Sequence, residues 1–185
     1  MASPEQIYRI YTGIAAHAAA IRDDQTRRGE KVSGTVNLLL SGDRGRLLRR
    51  WQDEMEELCG VLAGRHDDPY ILESTQVFYW ASLYAVSGGT TWAELGFADL
   101  RQQAARTGIE EPDALLAQAK RLAELGPDQA KPAKLYLLWW VADLLYRRLT
   151  PGDRQWSLEQ IMEYDLQEMK KRPYLQAVLE EAGVS

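Results

Sequence analysis

The chain has one cysteine and two histidines among its 185 residues, and these shortages remove several kinds of chemistry at the outset. Cys59 has no partner for an internal disulfide, and its place in a helical apolar stripe reads as a small packing residue rather than a nucleophile. His17 and His66 stand far apart, neither with a partner at metal-ligand or triad spacing, so both read as structural or surface groups. There is no glycine-rich G-x-x-x-x-G-K loop, so any phosphate would have to be held by a metal and by arginines. No apolar run approaches the roughly 20 residues needed to span a bilayer, and the opening MASPEQIYRIY lacks the layout of a signal peptide. A cytoplasmic protein with no membrane partner is the expectation. Positive charge is not in excess either. The formal net charge of -5 argues against nucleic acid as a partner, while a small anion remains reachable through a local basic cluster or a bound metal.

What the sequence does have is helical periodicity. Hydrophobic residues make up 45% and charged residues 26%, enough apolar material for one domain with a sizeable core. Ile7, Tyr8, Ile10, Tyr11, Ile14 and Ala18 recur at spacings of three and four, predicting an amphipathic helix over 4–27 opened by Ser3 and Pro4. A polar connector runs to about Ser33. Leu47, Leu48, Trp51, Met55, Leu58, Val61 and Leu62 predict a second helix from Ser41 to Ala63, stopped at Gly64. Residues 69–86 are apolar on several faces, as a central helix would be. Further helices are expected from Thr91 to Thr107, Pro112 to Leu125, Lys134 to Leu149 and Ser157 to about Arg172, with no strand. The tail from Tyr174 to Val184 has amphipathic spacing and offers itself as a partner helix. The expected fold is an all-α helical bundle, residues 1–185 forming a single domain.

The text following the two most apolar helices is similar. Trp80-Ala-Ser-Leu-Tyr precedes Trp92-Ala-Glu-Leu, and Trp140-Val-Ala-Asp-Leu-Leu-Tyr precedes Trp156-Ser-Leu-Glu, which hints at an internal duplication with an offset of roughly 60. The halves would be 28–107 and 108–185.

Several carboxylates fall on the wrong side of their helices. At about 100° per residue, Glu54 lies inside the stripe of Leu47, Trp51, Leu58 and Val61, and Glu57 lies at its edge, while Asp53 and Glu56 point to solvent. On the next helix Glu73 projects with Trp80 and Tyr84, and Gln76 follows one turn later. Three inward carboxylates would repel one another and need a cation among them. Two are available: arginines, of which Arg44, Arg46, Arg49 and Arg50 are near in sequence, or a hard divalent ion. Oxygen donors without histidine or cysteine suit Mg2+ or Mn2+ rather than zinc.

The stretch from Ser33-Gly-Thr-Val-Asn-Leu-Leu-Leu through Arg49-Arg-Trp-Gln-Asp-Glu-Met-Glu-Glu-Leu, and then Glu73-Ser-Thr-Gln-Val-Phe-Tyr-Trp, resembles phosphoribosyl-ATP pyrophosphohydrolase and its MazG-like relatives, the all-α NTP pyrophosphatases. The family signature is E-x-x-E on one helix and E-x-x-D on the next. Glu54 and Glu57 match the first pair, Glu73 opens the second, and Gln76 stands where the family has aspartate. The likeness covers about Ser33 to Leu95, a third of the chain.

The resemblance implies a hydrolase that cleaves a nucleotide between its α and β phosphates and releases pyrophosphate. It implies Glu54, Glu57 and Glu73 as catalytic carboxylates and, with Gln76, as ligands of Mg2+ or Mn2+. Arg46, Arg49 and Arg50 take the places of the family's basic residues and would bind substrate phosphate. Family members build a four-helix core from two subunits, so this chain would be either a homodimer or a pseudo-dimeric monomer. An offset of 60 sets Ala114, Ala117 and Ala133 against the three glutamates, leaving one site per chain. Asp143 either joins that site from the opposite helix or pairs with Arg147 four residues on. The alternative function is a catalytically degenerate member that serves as a binding or assembly scaffold, which the loss of the aspartate at Gln76 favours.

Overall fold

The computed structural model describes residues 1–184, and among them there is no strand. The α-helices are Pro4–Arg27 (α1), Gly34–Ser41 (α2), Arg44–Leu62 (α3), Tyr70–Ser87 (α4), Trp92–Leu95 (α5), Phe97–Ala105 (α6), Pro112–Glu124 (α7), Pro132–Leu149 (α8), Leu158–Lys170 (α9) and Gln176–Glu181 (α10). No helix is long and apolar enough to cross a membrane.

Local chemistry explains most of the boundaries. Ser3 caps α1 by accepting from the Gln6 amide, with Pro4 in the first turn. Gly64, at φ +71°, closes α3 in the left-handed conformation, and the Arg65 amide donates back to the Gly60 carbonyl at 2.8 Å. The connector after α1 is pinned by Gln25, a buried amide that accepts from the Ser33 backbone and donates to the Lys31 carbonyl.

The helix expected from Thr91 to Thr107 is broken in two, because a Thr91/Glu94 capping box starts α5 and Gly96, at φ +58°, turns the chain before α6. The helix expected from Ser41 starts at Arg44, capped by Asp43, while residues 34–41 form a helix of their own.

The central helix is α4, which packs against α1, α3, α8 and α9. Helices α3 and α4 form one antiparallel pair, α7 and α8 a second, and the pairs meet through α3 against α7 and α4 against α8. Leu62 to Glu124, Tyr70 to Pro132 and Ser87 to Leu149 are each 62 residues apart, so the second pair repeats three of the four helix ends of the first; α7 starts later in its pair than α3 does. At a spacing of 62, within the roughly 60 expected, Leu116, Ala119, Leu135 and Leu138 lie opposite Glu54, Glu57, Glu73 and Gln76. All four are apolar, so the second pair has no carboxylate set at those places.

The halves do not pack separately. Helix α1 lies against α4 as well as α9 and α10, and α9 also touches α4. Between the pairs sits an aromatic cluster in which Phe78 meets Tyr136 and Trp139 edge to face, with Phe97 beside all three. The tail is not a free partner helix: Leu175, Val178, Leu179, Ala182 and Val184 are buried, and α10 lies on α1.

Candidate functional site

Helices α3 and α4 place Glu54, Glu57 and Glu73 so that one carboxylate oxygen from each lies within 4.8 Å of the others. Glu54 and Glu73 are 8% and 3% exposed, respectively, whereas Glu57 is open to solvent, so the cluster is a cup with one wet side. The Glu73 oxygen Oε2 is buried with no hydrogen-bond partner. A buried acceptor without a donor is costly and is rare in folded proteins.

The electrostatics follow from this crowding. Glu73 is pushed up to about 7, chiefly by desolvation and then by the charges of Glu57 and Glu54, with Asp68 adding to them. Its position in the first turn of α4, where the helix dipole favours a negative charge, does not offset these effects. Glu54 is raised by burial and by Glu57, and held down by Arg50.

Of the expected phosphate binders, Arg50 reaches the cluster. Its Nη2 lies 3.1 Å from Glu54 Oε1, its Nη1 lies 3.5 Å from Asp53 Oδ2, and its guanidinium sits 5.1 Å from the centroid of Trp80. Arg46 and Arg49 are exposed and, among the described residues, make no ion pair; with Asp43, Arg50, Gln52 and Asp53 they line a shallow groove on the outer side of α3. Gln76 is half-buried one turn beyond Glu73. Arg44 is engaged elsewhere: it donates to Ser87 Oγ and to the carbonyls of Tyr84 and Pro127, and it stacks on the Tyr84 ring, tying the start of α3 to the end of α4.

Asp143 is not among the clustered carboxylates. It is 1% exposed and receives two hydrogen bonds from Arg147, both 2.9 Å, which satisfies its charge within one turn of α8. Cys59 is buried, and burial pushes its thiol up to about 12, so it remains a neutral packing group at physiological pH. His17 pairs with Glu181 at 2.9 Å on the surface, and His66 lies over Gly60.

The sequence reading passed over one buried acid. Asp165 on α9 is 4% exposed, accepts from the Tyr11 hydroxyl at 2.8 Å and is pushed up to about 7 by burial, against the opposing effects of Tyr11 and Arg172. It lies within the stripe of Ile161, Met162, Leu166 and Met169, so the wheel argument that found Glu54 would have found it too.

Its carboxyl ordinarily ionises at 3.8, so between 3.8 and about 7 the folded chain keeps a proton that the unfolded chain has lost. Stability is therefore lost as pH rises through that window and is level above it. Asp165→Asn keeps an acceptor for Tyr11 without the ionisation. Calorimetry should show it melting a few degrees above the parent at pH 8 and level with it near pH 4, a gain of about 1–2 kcal/mol. An equal fall at both pH values would mean that the carboxylate is charged and that Arg172 stabilises it.

Fold and site together define an all-helical protein with a three-carboxylate cluster that could hold a metal ion. No family model, no curated protein and no solved structure matches the chain.

Proposed function

We propose that this chain is a metal-dependent nucleotide pyrophosphohydrolase of the all-α NTP pyrophosphatase kind, cleaving between the α and β phosphates. The observation that carries the reading is the convergence of Glu54, Glu57 and Glu73, from two consecutive helices, around a buried carboxylate oxygen with no partner. The donor set is all oxygen and formally trianionic, which fits Mg2+ or Mn2+ and not a thiophilic ion. Gln76 adds a weaker amide oxygen on the same side of α4. A bound divalent cation supplies charge neutralisation at the phosphoryl oxygens.

The protein's own groups do the rest. Glu54, Glu73 and Glu57 would hold the ion, the first two fixed by burial, and Glu57, which faces water, is also placed to accept the proton of an attacking water molecule. That water's oxygen bonds to the α-phosphorus, the bond between that phosphorus and the α–β bridging oxygen breaks, and pyrophosphate leaves with the bridging oxygen and the electron pair. Arg50 neutralises phosphate charge at the rim, and Arg46 and Arg49 draw the anion along the groove.

With Mg2+ or Mn2+, a panel of nucleoside triphosphates and phosphoribosyl-ATP should include a substrate that releases pyrophosphate, and Glu54→Gln should lose at least about a thousandfold of that rate. No release from any substrate, with no metal-dependent rise in melting temperature, would leave the second reading: a degenerate member kept as a scaffold. Gln76, in the place of an acid, is the observation that favours it.

A further inference from the structure

Glu54 is the one member of the carboxylate cluster that has a cation of its own. Arg50 lies one turn before it on α3, and its Nη2 meets Glu54 Oε1 at 3.1 Å. Arg50 is exposed, its second contact is a long one to exposed Asp53, and it rests against the Trp80 ring, a surface along which a planar cation can slide. Glu73, by contrast, has an oxygen without any partner. The cluster is thus neutralised on the Glu54 side by an exposed cation and left uncompensated on the Glu73 side.

We propose that Arg50 is an exchangeable counter-ion: it occupies Glu54 in the metal-free chain, a divalent cation displaces it, and the freed guanidinium becomes the first phosphate contact of the loaded site. This rests on the metal-dependent reading above and adds an order of events to it. A divalent ion held at the Glu54 carboxylate would lie within a few ångströms of the Arg50 guanidinium on the same group, and two cations repel strongly at that distance. Once displaced, Arg50 remains tethered one turn away, beside Arg46 and Arg49 in the groove. Metal binding thereby raises affinity for a phosphate-bearing substrate through a residue that does not ligate the metal. Loading is ordered: metal first, anion second.

Removing Arg50 should therefore act in opposite directions on the two ligands. In Arg50→Gln, Mn2+ affinity without substrate, measured by electron paramagnetic resonance, should tighten roughly threefold to tenfold, the scale of a partly exposed ion pair. Affinity for pyrophosphate at saturating Mn2+ should fall about tenfold or more, as for a lost charge-assisted contact. Arg49→Gln removes the same charge from the same groove without touching Glu54, and should change Mn2+ affinity less than about twofold. Arg50→Lys keeps the charge but loses the fork, and should give part of both effects.

Equal tightening in the Arg50 and Arg49 variants would show that only the general field matters and would overturn the exchange. Unchanged pyrophosphate affinity in Arg50→Gln would overturn it as well. If the parent protein binds no Mn2+, the metal-dependent reading falls and takes the exchange with it. If the parent binds Mn2+ and Arg50→Gln does not bind it more tightly, only the exchange falls.

Discussion

Glu73→Gln is expected to raise the melting temperature of the metal-free protein at pH 8 by roughly 3–6 °C and to remove most of its response to Mg2+. The sign follows from the carboxyl's raised pKa. Its ordinary value is 4.5 and in the folded chain it is about 7, so at pH 5–6 the folded state binds a proton that the unfolded state has released. Stability falls as pH rises from 4.5 towards 7 and is level above, because there both states are ionised and the folded one carries the full repulsion. The amide cannot ionise, so the loss is relieved by about 1.5–2 kcal/mol, a figure discounted for the wet side at Glu57.

At pH 4 the two proteins should melt together. In the parent, the rise in melting temperature caused by Mg2+ should grow between pH 5 and pH 8, as the carboxylates become available to the ion and as their repulsion in its absence increases. Calorimetry on both proteins, with and without Mg2+, separates these effects. A lower melting temperature for Glu73→Gln at pH 8 would show instead that the carboxylate is stabilised by a cation from the protein itself. Asp165 titrates in the same window, so the comparison is cleanest in an Asp165→Asn background.

Glu54 and Glu73 could be picked from the sequence because an acid inside an apolar stripe breaks the helical pattern around it. A carboxylate inside an apolar stripe is visible as soon as the wheel is drawn. That three of them come within 4.8 Å is a tertiary fact, since it depends on the pitch at which α3 and α4 cross, and spacing within each helix carries no information about that. The pairing of Arg50 with Glu54 is an i,i+4 relation, legible in principle, as is that of Asp143 with Arg147, which settles the open choice at Asp143.

Among the helices, the long amphipathic ones were legible and the short ones were not. Residues 34–41 carry Val36, Leu38, Leu39 and Leu40 almost consecutively, with Leu38 buried and Leu40 exposed, so no stripe marks them as a helix. Gly96 falls inside the span 91–107 expected as one helix, because a glycine within a helical pattern does not by itself end it. Only its left-handed φ, required where α5 turns into α6, makes it a break. The duplication was drawn on matching tryptophans, which gave an offset of 60. Three helix ends recur at 62, and at that spacing the position matching Trp80 is Ala142 rather than Trp140.

Trp139 ties the site-bearing pair to the other pair, and its variants should show that the acid-poor half is more than ballast. The side chain is fully buried, contacts Phe78, Phe97 and Trp140, and its indole N–H donates to Ser74 Oγ at 3.0 Å and to the Ser74 carbonyl at 3.1 Å. Ser74 is the residue after Glu73. The bond from α8 therefore fixes the turn of α4 that presents the Glu73 carboxylate.

Trp139→Ala leaves a large cavity in the core and is expected to cost about 3–5 kcal/mol, roughly 10 °C or more in melting temperature. Trp139→Phe preserves most of the packing and loses the N–H, at about 1–2 kcal/mol. It should also weaken Mn2+ binding severalfold, although no ligand has been changed, because a first turn freed by even half an ångström spreads the three oxygens. Ile7→Val, a fully buried site on α1 outside both pairs, should cost about 1 kcal/mol and leave Mn2+ affinity where it was. If the two variants lose Mn2+ affinity in proportion to their stability alone, the bond to Ser74 is ordinary core packing; if only Trp139→Phe loses it, the second helical pair positions a site to which it contributes no ligand.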